Sequence, residues 1–203
     1  MRLQAGKLTL AQAKEIYERY MTVDFPRDEL KPFYMIEDMW ERGHYFAFGF
    51  YEAMEAEEEC SDAGDVLRAY AFFVSDHEEQ MLLLDYFAAC ADTRGQGYGS
   101  AALQQLRKEC SGFRGIVIEV EDNELELEEH VRETRNRRID FYTRNGCRMT
   151  DTRSRVFGVD YRIMILPVAD KKAGEDMARK VTGIYRCMHS EKLLQNNFKI
   201  TAE

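Results

Sequence analysis

Residues 82–100 read LLLDYFAACADTRGQGYGS, in which an apolar run is followed by three glycines within five residues. Glycines allow the backbone to turn tightly and to bring successive N–H groups close to an anion. Leu103 and Leu106 then continue at helical spacing, so the turn opens directly into a helix whose N-terminus carries a partial positive charge. The stretch therefore predicts a strand, a phosphate-binding turn and a helix in direct succession.

The segments around this turn predict a mixed sheet of the α+β class. Three runs rich in aromatic and β-branched residues, 45–51, 66–74 and 80–90, are typical of an antiparallel meander. The buried run 115–120 follows the helix after the turn, and this strand, helix, strand order implies one parallel pair. The remaining predicted elements are the helices 11–21, 27–42 and 131–144 and the strands 8–10 and 155–166.

Length and composition fit one domain with a C-terminal extension. At 203 residues with 45% apolar content, the chain can bury one substantial core and leaves little room for a second. We find no repeat or Gly/Pro-rich linker, and we assign 1–167 to one domain and 168–203 to a helical extension. Met177, Val181 and Ile184 lie at helical spacing in that extension, so we expect its helix to pack on the same domain or on a partner copy in a homodimer.

The net charge and the cysteine content limit which binding partners and which cellular compartment the sequence predicts. The formal net charge of -9 repels phosphate backbones, which argues against a nucleic-acid partner, and it favours cationic small molecules or basic peptide tails. No run approaches the roughly 20 apolar residues that span a bilayer, so no membrane partner is predicted. The five cysteines contain no Cys-x-x-Cys pair and the four histidines show no ligand spacing, so we expect neither disulfides nor a metal site. These features predict a cytoplasmic protein.

The glycine turn carries a spacing that is known from one family. Arg94, Gly97 and Gly99 are arranged as Arg, two residues, Gly, one residue and Gly. This spacing resembles the pyrophosphate-binding signature of the GNAT superfamily of N-acetyltransferases. The resemblance implies a GNAT-like, mostly antiparallel sheet of six or seven strands. It would be flanked by helices and splayed at the parallel pair, where acetyl-CoA enters.

A second motif of the same family occurs downstream, in the predicted helix 131–144. Asn136 is followed six residues later by Tyr142 and then by Gly146, as in the family pattern, but Cys147 takes the place of the Phe that the family has after this Gly. The resemblance covers about residues 45–166. In such families the helical hairpin before this region and the tail after it choose the substrate.

The resemblance implies acetyl-CoA as the co-substrate and no metal. In the family, the backbone of the strand before the turn pairs with the pantetheine arm and polarises the thioester, which here involves Phe87 and Ala89. Asn136 is then expected to contact the pantetheine amide. The alternative is that Asn136 only helps to begin the helix or lies on its surface. The residues implied in co-substrate binding are Phe87, Ala88, Ala89, Arg94, Gly95, Gln96, Gly97, Tyr98, Gly99, Ser100, Asn136 and Phe141.

Acetyl transfer to an amine needs a base for the ammonium and an acid for the departing thiolate. Asp85 lies two residues before Phe87, and the period of two in a strand places both side chains on one face, so Asp85 is a candidate base. The sequence is equally compatible with a structural role for Asp85, in which hydrogen bonds hold its carboxylate. Glu119 and Glu121, which alternate at the end of the next strand, are further candidates. The resemblance implies Tyr142 as the acid, because a phenol stays protonated at neutral pH.

Three functions are compatible with these residues. The principal prediction is direct transfer of an acetyl group from acetyl-CoA to a small-molecule or peptide amine. The first alternative is a non-catalytic acyl-CoA sensor that uses the same turn. The second is a dinucleotide-binding oxidoreductase in which Glu119 binds a ribose, although Ser100 occupies the position of the third glycine expected there.

Overall fold

The computed structural model describes residues 3–52 and 66–202, so Cys60 lies outside the described residues. The strands in these ranges are β1 (Leu3–Lys7), β2 (Tyr45–Glu52), β3 (Val66–Asp76), β4 (Met81–Ala89), β5 (Gly115–Glu121), β6 (Arg148–Val156), β7 (Val159–Pro167) and β8 (Phe198–Ala202). The helices are α1 (Leu10–Ile16), α2 (Phe33–Glu41), α3 (Tyr98–Glu109), α4 (Glu129–Arg144), α5 (Met177–Met188) and α6 (Glu191–Asn197). A π-helical turn, Tyr17–Met21, and a last short turn, Thr22–Asp24, extend α1.

The strands of the described ranges form one mixed sheet in the order β1-β2-β3-β4-β5-β7-β6-β8. β4 and β5 pair in parallel through residues 81–83 and 115–117, whereas β1 with β2, β5 with β7, and β6 with both β7 and β8 pair antiparallel. This sheet confirms the predicted α+β class with its parallel pair. It is not the doubly wound parallel sheet of a dinucleotide-binding fold.

The described residues form eight strands, where six or seven were predicted. The predicted single strand 155–166 is in fact a hairpin of β6 and β7, joined at Phe157 and Gly158 with φ values of 47° and 91°. Two positive φ angles are typical of a tight hairpin turn, but Phe is not a residue that signals one. β8 was missed as well, because its strand conformation depends on pairing with β6, as between Ile200 and Ser154.

The helical hairpin near the N-terminus differs from the prediction at its boundaries. Thr9 caps α1 through a capping box: the Gln12 N–H donates to the Thr9 hydroxyl (3.3 Å), and the Thr9 N–H donates to the Gln12 side chain (2.9 Å). α2 begins at Phe33 rather than near residue 27, because the residue before Pro32 is disfavoured in the helical conformation. The opening strand lies at β1 rather than over residues 8–10.

Contacts along the chain define two compact units, of which the first comprises Met1–Phe73 and Asp85–Glu109. Its core is aromatic, and Phe50, Tyr70 and Phe72 are fully buried. The rings of Tyr70 and Phe72 meet edge to face with centroids 6.1 Å apart, a favourable geometry for aromatic pairs. α1 and α2 contact each other, and α3 contacts β1.

The second unit comprises Val74–Leu84 and Cys110–Glu203. Here α5 contacts β6 and β8 and buries one face, formed by Met177, Val181, Ile184 and Tyr185. The C-terminal helix therefore packs on the sheet strands of its own unit. Across residues 3–52 and 66–202, no helix is both long and apolar enough to cross a bilayer.

A side chain at Gly115 is expected to destabilise the second unit. An added Cβ would lie 2.8 Å from Ile165 Cδ1 and 2.9 Å from Ala173 Cβ, and both of these residues are buried. Gly115→Ala should therefore lose about 1–3 kcal/mol of unfolding free energy, measured by chemical denaturation. Gly112→Ala is the matched control, because its Cβ meets no atom within 4 Å. Equal stability of the two variants would contradict tight packing around Gly115.

Candidate active site

β4 leads into the predicted phosphate turn through a short 3₁₀ turn, Ala91–Thr93. The Thr93 hydroxyl donates to the Cys90 carbonyl (2.8 Å), which fixes the end of the strand. Gly95 and Gly97 then adopt φ values of 80° and 90°, a conformation that residues with a side chain rarely take. The two glycines therefore allow a turn that most other residues would strain.

α3 begins at Tyr98, directly after this turn. Its first backbone hydrogen bond runs from the Ala101 N–H to the Gly97 carbonyl (3.1 Å). The N–H groups of Tyr98, Gly99 and Ser100 precede that bond and therefore have no acceptor within the helix. Together with the helix dipole, these groups make the start of α3 suited to binding an anion.

The arginine of the turn is held by a buried carboxylate. Arg94 Nη2 lies 2.6 Å from Asp24 Oδ1, and the Asp24 side chain is only 3% exposed, compared with 56% for Arg94. The Tyr70 hydroxyl donates to the other Asp24 oxygen (2.7 Å). Burial, followed by this hydrogen bond, raises the pKa of Tyr70, so the phenol remains a donor. The Arg94 guanidinium is thus anchored on one side while more than half of the side chain faces solvent.

A second carboxylate fastens the start of α3. The Tyr98 hydroxyl donates to Glu52 Oε2 (2.7 Å), and Arg68 Nε donates to the same oxygen (2.9 Å). The hydrogen bond from Tyr98, supported by Arg68, lowers the pKa of Glu52, so this carboxylate is ionised at neutral pH. The first residue of α3 is thereby tied to β2.

Asp85 lies in β4 with both carboxylate oxygens engaged. Lys31 Nζ lies 2.6 Å from Oδ1, and the Tyr45 hydroxyl donates to Oδ2 at 2.6 Å. The Asp85 side chain is 5% exposed. Burial, followed by the charge of Asp85, raises the pKa of Tyr45 well above its usual range, so Tyr45 stays a neutral donor. Asp85 therefore belongs to a buried ion pair.

Lys31 also fixes the loop between the N-terminal helices. The Lys31 N–H donates to the Tyr86 hydroxyl (2.8 Å), which in turn donates to the Glu29 carbonyl (3.0 Å). The Tyr17 hydroxyl donates to the Lys31 carbonyl (2.9 Å). The N–H, the carbonyl and the ammonium group of Lys31 thus each form a hydrogen bond, and these bonds hold the loop against β4.

Glu119 lies in β5 and accepts hydrogen bonds from two hydroxyl groups. The Tyr185 hydroxyl donates to Oε2 (2.8 Å) and the Ser154 hydroxyl to Oε1 (3.3 Å). Glu119 is half-buried. Each hydroxyl bonds a different oxygen, so the two bonds together orient the carboxylate.

Tyr142 lies in α4, a helix that contacts both β5 and β6. Its side chain is buried, and burial raises the pKa of the phenol to about 12. Within residues 3–52 and 66–202, no group accepts a hydrogen bond from this hydroxyl. On the same helix, the Phe141 ring meets the Tyr142 ring edge to face (5.2 Å), and exposed Asn136 accepts from Asn123 Nδ2 (2.7 Å).

Three arginines pair with the acidic residues at the end of β5 and directly after it, and one of them, Arg162, lies 2.9 Å from Glu124. Arg153 binds Asp122, whose side chain is 2% exposed, and also Glu124 (2.6 Å). Arg135 Nε lies 3.2 Å from Glu121. Glu121, the further base candidate, is therefore part of an ion pair, and the negative charge here is partly compensated.

Comparison with solved structures identifies the fold. Neither models of known protein families nor curated protein sequences match this chain. A protein described as a GNAT-family acetyltransferase from Bacteroides thetaiotaomicron superposes with a TM-score of 0.61 at 20% identity, covering 94% of this chain and 100% of its own. The ribosomal-protein-S18-alanine N-acetyltransferase from Escherichia coli gives 0.53 at 20% identity, with coverages of 86% and 98%. The chain has the GNAT fold. The spermidine N-acetyltransferase from Vibrio cholerae, solved in complex with CoA and spermine, shares this fold with a TM-score of 0.56 at 9% identity, with coverages of 83% and 96%.

In this GNAT fold the predicted site residues fall into two groups, one in each unit. The first unit holds the end of β4, residues 85–89, and the turn residues 94–100. The second unit holds Glu119 and the three predicted site residues on α4, which are Asn136, Phe141 and Tyr142. In the part of the chain that the structure describes, no group of three or more His, Cys, Asp or Glu residues is arranged to hold a metal ion.

The sequence missed the residues that bond to the two candidate bases. Lys31 and Tyr45 contact Asp85, and Ser154 and Tyr185 contact Glu119. Tyr185 does lie on the apolar face of α5, at the position after Ile184. The helical spacing of apolar residues predicts that its ring is buried, but it does not predict the partner of its hydroxyl. No local pattern identifies the other three.

Proposed function

We propose that this protein is an N-acetyltransferase that moves an acetyl group from acetyl-CoA to an amine. The observation that carries the proposal is the turn between β4 and α3. There, Gly95 and Gly97 adopt positive φ and the first N–H groups of α3 have no acceptor within the helix. The GNAT fold supports the same activity, because several solved proteins that share it are named as N-acetyltransferases.

The residues of the turn fit the pyrophosphate of a CoA molecule. Backbone N–H groups of Tyr98, Gly99 and Ser100 would donate to phosphate oxygens, and the exposed face of Arg94 would supply positive charge. A Cβ added at Gly95 would meet no atom within 4 Å, so the space beside the turn is open. Backbone donors, rather than a cluster of cationic side chains, would supply most of the binding.

The strand that precedes the turn would orient the thioester. Residues 85–89 are extended, so the backbone of Phe87 and Ala89 is suited to pair with the pantetheine arm as an added strand does. A backbone N–H directed at the thioester oxygen would stabilise the negative charge that develops there when the amine attacks.

Between the two candidate bases, we favour Glu119. Asp85 is 5% exposed and carries a lysine ammonium on one oxygen and a phenol on the other, so accepting a proton from a substrate would break an ion pair. Glu119 is half-buried, and the two hydroxyls that donate to its oxygens orient the carboxylate. Asp85 would instead hold the loop of Lys31 in place for the acceptor.

Tyr142 would protonate the departing CoA thiolate. Its hydroxyl has no acceptor in residues 3–52 and 66–202, and burial holds its pKa at about 12, so it is a protonated donor at neutral pH. After Glu119 has taken a proton from the ammonium, the bond from nitrogen to the acetyl carbon forms and the carbon–sulfur bond breaks. The proton of Tyr142 passes to sulfur, and the second proton lost by the nitrogen passes through water to restore the phenol.

The pH dependence of turnover should reflect this raised pKa. An ordinary tyrosine is half ionised near pH 10, whereas Tyr142 with a pKa of about 12 remains protonated there. We therefore expect kcat to show no decline between pH 8 and about pH 10, measured as thiol release at saturating acetyl-CoA. A decline with a midpoint near pH 9 would contradict Tyr142 as the acid.

The activity can be tested by a screen of acceptor amines. Polyamines, amino acids and peptides with an N-terminal alanine cover the small-molecule and peptide classes, and each would be incubated with acetyl-CoA while free thiol is measured. Amine-dependent thiol release supports the transferase. Binding of acetyl-CoA without turnover of any acceptor would favour the acyl-CoA sensor instead.

A cytoplasmic location is part of the proposal. It is supported by the described cysteines, because no disulfide joins Cys90, Cys110, Cys147 or Cys187.

A further inference from the structure

Both hydroxyl donors to Glu119 are on later elements of the second unit. Tyr185 is in α5 and Ser154 is in β6, and each bonds a different oxygen of the carboxylate. The Tyr185 bond is the shorter, at 2.8 Å against 3.3 Å for Ser154. Because each oxygen has its own donor, the plane of the carboxylate is fixed and not only its position.

The Tyr185 ring is itself held firmly. It is 4% exposed and stacks on Phe198 of β8, with ring centroids 4.6 Å apart and planes at 27°. The imidazole of His189 stacks with the same ring at 6.3 Å. A ring fixed in this way directs its hydroxyl to one place, so the hydrogen bond to Glu119 costs little further side-chain entropy.

β8 supports both donors at once. Its residue Phe198 is opposite Val156, and its residue Ile200 is opposite Ser154 in the antiparallel pairing with β6. The same short strand thus provides the surface on which Tyr185 stacks and pairs with the strand that carries Ser154.

We propose that Tyr185 is a positioning residue for acetyl transfer and that the segment from α5 to β8 holds its ring in place. Tyr185 fixes the Glu119 carboxylate in the orientation in which it accepts a proton from the substrate ammonium or from a bridging water. This inference rests on the proposed function, in which Glu119 is the base. A freely rotating carboxylate would spend only part of its time in a productive orientation, so loss of the hydroxyl lowers kcat more than it alters substrate binding.

The test is a double-mutant cycle in kcat with acetyl-CoA and the acceptor found in the amine screen. Tyr185→Phe keeps the stacked ring, removes the hydroxyl and should lower kcat about 10-fold, with the acceptor KM changing by less than about 3-fold. In a Glu119→Gln background the same substitution should change kcat by less than about 2-fold, because its effect acts through the carboxylate. Ser154→Ala, which removes the longer bond, should show a smaller effect with the same dependence on Glu119.

Tyr45→Phe is the matched control, because it removes a phenol hydroxyl from the other candidate base, Asp85. Its effect should be the same in both backgrounds. Unchanged kcat in Tyr185→Phe, or an equal loss in the Glu119→Gln background, overturns the positioning role while the transferase stands. Full activity of Glu119→Gln overturns both the base and its positioning residue. Absence of turnover with every amine instead overturns the proposed function, so the failures are distinguishable.

Discussion

The Gly97→Asp variant is expected to lose the thermal stabilisation that acetyl-CoA and CoA give to the wild-type protein. At a ligand concentration of about 100 times Kd, binding stabilises by about 2.7 kcal/mol, which for a chain of this size raises Tm by about 5–10 °C. A carboxylate at Gly97 would lie beside the N–H groups of Tyr98 and Gly99 that are proposed to hold the pyrophosphate, and its charge would repel the ligand. The shift is measured by thermal denaturation with and without each ligand.

The matched control is Gly97→Asn. Gly97 has φ of 90°, so any side chain is strained there, but Asn and Asp are close in size and Asn lacks the charge. Gly97→Asn should therefore share most of the loss of intrinsic stability while keeping more of the ligand-induced shift. Equal loss of the shift in both variants would indicate a conformational effect. A wild-type protein that neither CoA nor acetyl-CoA stabilises would remove the basis for the proposed co-substrate.

The second large effect is expected for Tyr142→Phe. General acid catalysis contributes about 10²–10⁴-fold, so kcat should fall within that range while the thermal shift with CoA is retained. Because the Tyr142 hydroxyl has no acceptor within residues 3–52 and 66–202, its removal leaves no described partner unsatisfied. The unfolding free energy should consequently change by less than about 1 kcal/mol.

Tyr34→Phe is a suitable control for this variant, because Tyr34 is 68% exposed on α2 and is not among the residues proposed to bind acetyl-CoA or to transfer protons. It should retain wild-type kcat. If Tyr142→Phe also retains wild-type kcat, another group or water protonates the thiolate. If the unfolding free energy of Tyr142→Phe instead falls by several kcal/mol, lost stability explains the lower kcat, and Tyr142 loses its assignment as the acid.

The parts of the fold that sequence could predict are those coded in contiguous residues. The glycine turn, the strand before it and the helix after it all lie within 82–109, and each has a local signature. The parallel pair follows from that order alone, since a strand, helix, strand unit returns in the same direction. This is also why the GNAT resemblance was recognisable although identity to the solved structures that we compared is 20% or less.

The contacts that define the candidate bases could not be predicted in this way. Lys31 and Asp85 are 54 residues apart in sequence, and Glu119 and Tyr185 are 66 residues apart. Such pairs form because strands and helices from distant segments are brought together. Composition and spacing carry no information about which hydroxyl meets which carboxylate. In the sequence Asp85 and Glu119 are both acidic residues within predicted strands. Only the structure shows that Asp85 bonds an ammonium and a phenol, and that Glu119 accepts from the hydroxyls of Tyr185 and Ser154.

The sequence failed to predict two strands, β8 and the separate β6, for the same reason. β8 forms where a tail segment pairs with β6, and the β6–β7 turn uses Phe157 at a positive φ that its residue type does not signal. Tertiary pairing decides both, and local propensity is too weak to oppose it.

The alternation of the two units along the chain restricts how such a protein can recombine with its relatives. Val74–Leu84 belongs to the second unit although the segments on either side of it, up to Phe73 and from Asp85, belong to the first. A chimaera that exchanges one unit therefore needs three junctions, and two of them fall inside β3 and β4. The third, after Glu109, falls at the end of α3 and leaves every strand whole. A single exchange of sequence at that point would combine the phosphate turn of one protein with residues 110–203 of another, but residues 74–84 of the second unit would still come from the first protein.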